Sequence, residues 1–244
     1  MTLRMAPQAK DPQLLQGSEA IADAMIAAGC RFFSGYPMTP FTEVLEVMAR
    51  KLPEVGGVCM NAESELEAIG MAWGAAATGT PSATGSTGQG LSLMQESLSE
   101  ITLARLPLVV LNMGRAQGDY YQATRGGGHG DYRHLVLSPA DAAEAIDLIG
   151  LAFDLTERWR NPVVVLGDYY LAHTARSVTI PAMKTRETPE WGARWILGGH
   201  APRQADLTAR DGQAARRRWL RHRCALRRLR GGHQRDDRQR RTTC

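Results

Sequence analysis

An α/β fold, a doubly wound parallel sheet with helices on both faces, is the class this sequence predicts, on three observations. Short apolar runs alternate with longer segments of helical period from Gly17 to Asp168. Two of the runs, LPLVVLNM and PVVVLGD, are apolar without alternation, the pattern of strands covered on both faces. Glycines and prolines punctuate the junctions, as short connections between such elements require.

The elements follow in order. SEAIADAMIAAG reads as a helix closed by Gly29, and RFFS as a strand. FTEVLEVMARKL is a helix with Phe41, Val44, Leu45 and Met48 at helical spacing. VGGVCMN is a strand, ESELEAIGMAWGAAATG a helix of small residues, and PSATGST a strand. LSLMQESLSEITLARL is a helix leading into the buried strand LPLVVLNM, and residues 114–132 read as one long Gly-rich loop. HLVLS (strand), PADAAEAIDLIGLAFDLTERWR (helix) and PVVVLGD (strand) complete the series. Ligands of such sheets bind at the carboxyl ends of the strands, so the turns that follow strands are where chemistry is expected.

Charge divides the chain. Of its 244 residues, 1–181 carry 12 Lys+Arg against 19 Asp+Glu, a net of −7, and 182–244 carry 17 against 6, a net of +11. Sixteen of those 17 are Arg, in runs such as RRRWLRHR, with few aliphatic residues to bury. The expected organisation is a flexible N-terminus (1–12), one α/β domain (13–181) and an Arg-rich tail (182–244) that is disordered or read out of frame. High-GC coding read out of frame yields such Arg, Ala, Gly, Trp and His enrichment, so a frameshift near residues 182–200 and a truncated protein are the expectation. The four cysteines, Cys30, Cys59, Cys224 and Cys244, form no CxxC pair, which excludes a thioredoxin-like motif and an iron–sulfur ligand set on this chain. With no run of roughly 18 apolar residues and no signal-peptide core, a cytoplasmic protein with reduced thiols is expected.

Three positions could carry chemistry. In GYPMTP, Thr39 lies between two prolines after a strand, suited to cap the next helix with Pro40 in its first turn, or to aim a hydroxyl and a helix N-terminus at an anion. Arg115 ends LPLVVLNMGR at the carboxyl end of a buried strand, either a solvated loop residue or a bidentate holder of a carboxylate. Glu65 shares a helix face with Ala68, Ile69, Ala72 and Ala76, whereas Glu63 and Glu67 share the other with Gly70 and Gly74. A carboxylate on an apolar stripe either answers the helix dipole or is kept dry to share a proton with a ligand nitrogen. GSTGQG fits neither a dinucleotide fingerprint nor a phosphate loop, and His129 in GGGHGD is a solvated loop histidine or at most lines a site.

Taken together, GYPMTP, the Glu-rich helix start with WGAAATG, GQGLSLMQE, LPLVVLNMGR, GDYYQATRGGGHGDYR and RNPVVVLGD stand in an order that resembles the alpha subunit of 2-oxoacid:ferredoxin oxidoreductases, of the 2-oxoisovalerate or 2-oxoglutarate type. The resemblance covers roughly residues 13–181. It implies the thiamine-diphosphate-binding fold of the pyrimidine-binding type, with the cofactor shared with a beta subunit that grips the diphosphate and Mg²⁺. Gamma or ferredoxin-like subunits carrying iron–sulfur clusters, a 2-oxo acid and coenzyme A are the other implied partners; a membrane and nucleic acid are not. It implies that Glu65 hydrogen-bonds the pyrimidine ring nitrogen, that Thr39 and Arg115 face the substrate carboxylate, and that Tyr36, Pro37 and Gly90 line the cofactor, with no metal ligand on this chain. Activity would need the partner subunits. The alternative is a noncatalytic truncated domain whose basic tail contacts nucleic acid through charge. Another thiamine-diphosphate enzyme, a decarboxylase or transketolase, conflicts with the YPxTP and GGGHGDY blocks.

Overall fold

The structure, a computed structural model, describes residues 11–186. Of the flexible N-terminus (1–12) and the disordered or out-of-frame tail (182–244) expected from the sequence, residues 1–10 and 187–244 lie outside the described ones.

A central sheet of six parallel strands carries the domain. It is built from β2 (Phe32–Gly35), β3 (Val58–Asn61), β4 (Ser82–Ser86), β5 (Val109–Gly114), β6 (Leu135–Leu137) and β7 (Val163–Asp168) in the order β3-β2-β4-β5-β7-β6. A further antiparallel pair joins β1 (Gln13–Gln16) to β8 (Ala175–Val178), with Gln13 opposite Val178. Sequence periodicity gave no sign of this pair, because both strands are largely exposed and lack alternation.

One sheet face is covered by α1 (Gly17–Ala27), α2 (Thr42–Lys51) and α7 (Ala142–Trp159), which pack Ile21, Met25, Val44, Met48, Ile149 and Phe153 against Phe33, Val109, Leu111 and Val163. The other is covered by α3 (Glu65–Ala77), α4 (Gly88–Leu93), α5 (Gln95–Ala104) and α6 (Gly118–Arg125), where Ile69, Leu91, Leu98 and Ile101 meet Val110 and Val164. The predicted doubly wound class is thus the observed one. The short α8 (Tyr169–His173) links β7 to β8.

Three element boundaries differ from the sequence reading. The helix predicted over LSLMQESLSEITLARL is two helices that meet at Met94. The Gly-rich segment 114–132 contains α6, whose buried residues are Asp119 and Ala123, one turn apart and too few to give a visible period. Residues 182–186, assigned by composition to the tail, pack on the body. Lys184 N–H donates to Ala27 O at 2.7 Å, and Arg186 donates through Nε to Ala28 O.

The topology fixes where loops converge. From β2 the chain goes outward to β3 and returns on the other side of β2 as β4, so the carboxyl ends of β2 and β4 form a switch point with diverging connections. Gly35 and Gly85 stand opposite each other there. Such crevices hold the ligands of open parallel sheets.

Candidate functional site

The YPMTP loop leaves β2 at that crevice. The expectation that Thr39 caps the next helix fails: α2 begins at Thr42, and Phe41 sits at the cap position with φ −93° and ψ −21° and no side-chain cap. The cause is Phe41, whose ring is fully buried against two bare glycines. A Cβ on Gly35 would stand 2.8 Å from the ring, and one on Gly85 2.5 Å. Drawing that ring into the core closes a tight turn, with the Thr39–Pro40 peptide cis and Phe41 N–H donating to Met38 O at 2.7 Å. Tyr36 is half-buried, Pro37 and Thr39 are exposed, and Pro40 is buried. The loop therefore offers Thr39 outward from a fixed base.

Glu65 opens α3. Ser64 caps the helix by accepting from Leu66 N–H at 3.2 Å and donates to the Glu67 carboxylate, and Glu63 lies before the helix rather than on the face predicted for it. The Glu67 carboxyl lies below its ordinary value, chiefly because of that Ser64 bond. Glu65 itself is only 2% exposed, on the same side as the buried Ala68, Ile69, Ala72 and Ala76. Ser86 Oγ, at the end of β4, donates to Glu65 Oε1 at 2.7 Å. A carboxylate has lone pairs for several hydrogen bonds, and Ser86 occupies one.

The junction of β4 and α4, residues 86–90, organises the rest. Ser86 holds Glu65, Thr87 Oγ1 donates to Met38 Sδ of the YPMTP loop at 2.9 Å, and Gln89 Oε1 accepts from Arg115 Nη1 at 3.3 Å. Its glycines are equally committed. Gly85 admits the Phe41 ring, Gly88 admits the Asp119 carboxylate, and a Cβ on Gly90 would overlap Ser86 Oγ and Glu65 Oε1. Sequence reasoning singled out Gly90 and missed Ser86, Thr87, Gln89 and Asp119. The available signal for the first three was that STGQG spans the end of a fully buried strand; Asp119 had none.

Arg115 is exposed at the end of β5 and reaches across to the YPMTP loop. Its Nε donates to Thr39 O at 2.7 Å, and its Nη2 donates to the same oxygen. Thr39 and Arg115, 76 residues apart, are thereby brought together, with the Glu65–Ser86 pair attached to the same segment, residues 86–90. His129 is exposed. The residue that orders its loop is Tyr132, whose hydroxyl accepts from Gly127 and Gly128 N–H, both at 2.9 Å, and donates to Gln95 Oε1 at 2.8 Å.

Two thiols lie away from this crevice. Burial pushes the Cys30 thiol up to about 12 and the Cys59 thiol up to about 11, so neither is a nucleophilic thiolate at neutral pH. Among the described residues, no cluster of His, Cys, Asp and Glu could hold a metal ion, and no helix is long and apolar enough to cross a membrane.

Residues 23–209 match the family model described as pyruvate flavodoxin/ferredoxin oxidoreductase, thiamine diphosphate-binding. The chain belongs to that family. The chain is 39% identical over 205 residues to the ketoisovalerate oxidoreductase subunit VorB of Methanothermobacter thermautotrophicus, covering 80% of this chain and 58% of that one. It is 42% identical over 178 residues to the 2-oxoglutarate synthase subunit KorA of the same organism, covering 68% and 47%. Among solved structures it is similar, with a TM-score of 0.68 and 34% identity, to a 2-oxoglutarate:ferredoxin oxidoreductase from Magnetococcus marinus bound to 2-oxoglutarate, coenzyme A and succinyl-CoA. That match covers 74% of this chain and 34% of that one. The chain spans about half the length of the curated relatives it matches.

Proposed function

We propose that the chain is the alpha subunit of a thiamine-diphosphate-dependent 2-oxoacid:ferredoxin oxidoreductase. The reaction is the oxidative decarboxylation of 2-oxoisovalerate or 2-oxoglutarate. The 2-oxo acid loses CO₂, the coenzyme A thiol gives up its proton and takes the acyl group, and the electron pair passes to ferredoxin. The observation that carries this reading is Glu65, a dry carboxylate at the switch point of the sheet, pinned by Ser86. The relatives' names, VorB and KorA, support it and leave both substrates open.

The residues present suit the pyrimidine end of the cofactor. The Glu65 carboxylate is held away from water and keeps lone pairs beyond the one that Ser86 uses, so it can hydrogen-bond a ring nitrogen of that end. Ser86 keeps that carboxylate from rotating away. When bound, thiamine diphosphate supplies a carbon nucleophile for the 2-oxo carbon and an electron sink for the departing CO₂. Tyr36, Pro37 and Gly90 are assigned to its surroundings; Gly90 acts by leaving room for the Glu65–Ser86 pair. Thr39 and Arg115 are assigned to the substrate carboxylate, with the guanidinium held by the Thr39 carbonyl and Gln89. The diphosphate and Mg²⁺ are assigned to a beta subunit and the iron–sulfur clusters to gamma or ferredoxin-like subunits. Residues 13–181 are the pyrimidine-binding domain in this reading, and the complex works in the cytoplasm.

The other reading of the sequence, a noncatalytic domain with a nucleic-acid-binding tail, rests on residues outside the described ones, and family membership favours the enzyme subunit.

The test is 2-oxo-acid-dependent reduction of ferredoxin by the complex assembled with its partner subunits, with thiamine diphosphate and coenzyme A present. Glu65→Gln is expected to lower kcat by about 100-fold or more, the scale of a lost proton-transfer group, with little change in the KM for the 2-oxo acid. Wild-type turnover in that variant would remove Glu65 from the role. Thr39→Val and Arg115→Ala should each raise the 2-oxo acid requirement, and unchanged substrate dependence would remove that assignment.

A further inference from the structure

Asp119 is a buried carboxylate that the proposed chemistry leaves without a task. It lies in the first turn of α6, where an acidic residue ordinarily faces solvent and answers the helix dipole. Here it is 8% exposed, and its Oδ2 accepts the backbone N–H of Arg115 at 2.8 Å, ahead of the helix. Its seat is made by two glycines from two different strand ends. A Cβ on Gly88 would stand 2.6 Å from Asp119 Oδ1, and one on Gly114 would stand 3.0 Å from Oδ2. The carboxylate thus fills a slot between the β4–α4 and β5–α6 connections that a Cβ at Gly88 would overlap and one at Gly114 would crowd.

Arg115 depends on that anchor. Its side chain is exposed and reaches the Thr39 carbonyl and Gln89, so the direction of its guanidinium is set by where its backbone leaves β5. We propose that Asp119 is a positioning residue for Arg115: by gripping the Arg115 amide it aims the guanidinium across the crevice at the YPMTP loop and at the 2-oxo acid carboxylate. The substrate part rests on the role proposed for Arg115 above; the grip on the backbone does not.

The experiment uses Asp119→Ala, the conservative Asp119→Asn, Arg115→Ala and the double variant Asp119→Ala/Arg115→Ala. Hydrogen–deuterium exchange on the full chain reads the grip directly. In Asp119→Ala, peptides containing the Arg115 amide should exchange about tenfold faster, as expected when a bond to a charged acceptor is lost, while α1 and α7 keep wild-type protection. Asp119→Asn, which retains a carbonyl oxygen in the same slot, should fall between the two. An unchanged Arg115 amide in both variants would overturn the proposal, and so would loss of protection in α1 and α7 with no greater effect at Arg115.

Kinetics of the assembled complex read the consequence. Asp119→Ala should raise the KM for the 2-oxo acid about tenfold with a smaller change in kcat. Asp119→Asn should recover most of that loss, and Asp119→Ala should add little once Arg115 is already Ala. Additive losses in the double variant would show a general structural role and overturn the proposal. If instead Arg115→Ala leaves KM unchanged, the substrate role of Arg115 fails, and the exchange measurement still decides whether Asp119 holds it.

Discussion

Gly90 shows how much a single missing side chain controls here. Its Cα packs directly on the Glu65–Ser86 pair, so Gly90→Ala would push a methyl group into Ser86 Oγ and Glu65 Oε1. The expected outcome is a loss of about 1–3 kcal/mol from overpacking, seen as a fall of several degrees in the thermal midpoint, with reduced kcat in the complex as Glu65 shifts. Gly74→Ala is the contrast. It lies on the exposed face of α3 with nothing within 4 Å of an added Cβ, so the isolated chain should gain about 0.5–1 kcal/mol from helix propensity alone. If both variants lowered the midpoint equally, the packing around Gly90 would not be what distinguishes them. The burial of Glu65 was legible in the sequence, because helical period puts it on one stripe with four apolar residues. The use of Gly85, Gly88 and Gly90 was not, since a glycine's purpose is set by the side chain that meets it, here Phe41, Asp119 and Glu65 from distant parts of the chain.

Elements were legible in proportion to what they bury. α7, with seven buried residues repeating along it, and the continuous apolar strands β5 and β7 were plain from pattern alone. α6, β1 and β8 bury too little to imprint a period. The segment 182–186 was masked differently, by basic composition. Its Arg186 is 7% exposed in its side chain, bonded to Asp154 and Glu157 of α7, each at 2.7 Å, and to the Ala28 carbonyl at the end of α1, with its guanidinium 5.5 Å from the Phe153 ring. A cation at a helix C-terminus also complements the dipole. Arg186→Ala should therefore destabilise the domain by about 1–3 kcal/mol, because it removes a largely buried guanidinium that bonds Asp154, Glu157 and the Ala28 carbonyl and packs on Phe153. Lys184→Ala, whose ammonium and Asp154 partner are both half-exposed, should cost at most about 1 kcal/mol in the same denaturant titration. Equal effects would mean that Arg186 contributes no more than a surface pair.

At the scale of the whole molecule, acid should weaken the fold in two stages. Burial holds the His134 imidazole below its ordinary value, so the folded state resists a proton that the unfolded chain accepts. Stability is then complete above about pH 6.5 and declines as pH falls below it. For Asp154, burial raises the carboxyl, but the Arg186 and Lys184 hydrogen bonds and charges outweigh this and hold it below its usual value. That contribution is present above about pH 4 and is lost as pH falls through the folded value. Thermal midpoints measured from pH 8 to pH 3 should show both declines, the first shrinking in His134→Gln and the second in Arg186→Ala. A flat profile above pH 4 would remove the His134 contribution.

By itself, the sequence determined the fold class, the two covered faces of the sheet and the candidates Thr39, Glu65 and Arg115, because period and apolar content are local properties that each segment carries with it. Only the tertiary structure decided that Thr39 is not a cap, that residues 86–90 hold Glu65, Met38 and Arg115 at once, and that Asp119 sits beneath Arg115. Those contacts arise where β2, β4 and β5 end side by side. Strand order depends on the burial of all the helices together, and no single segment encodes it.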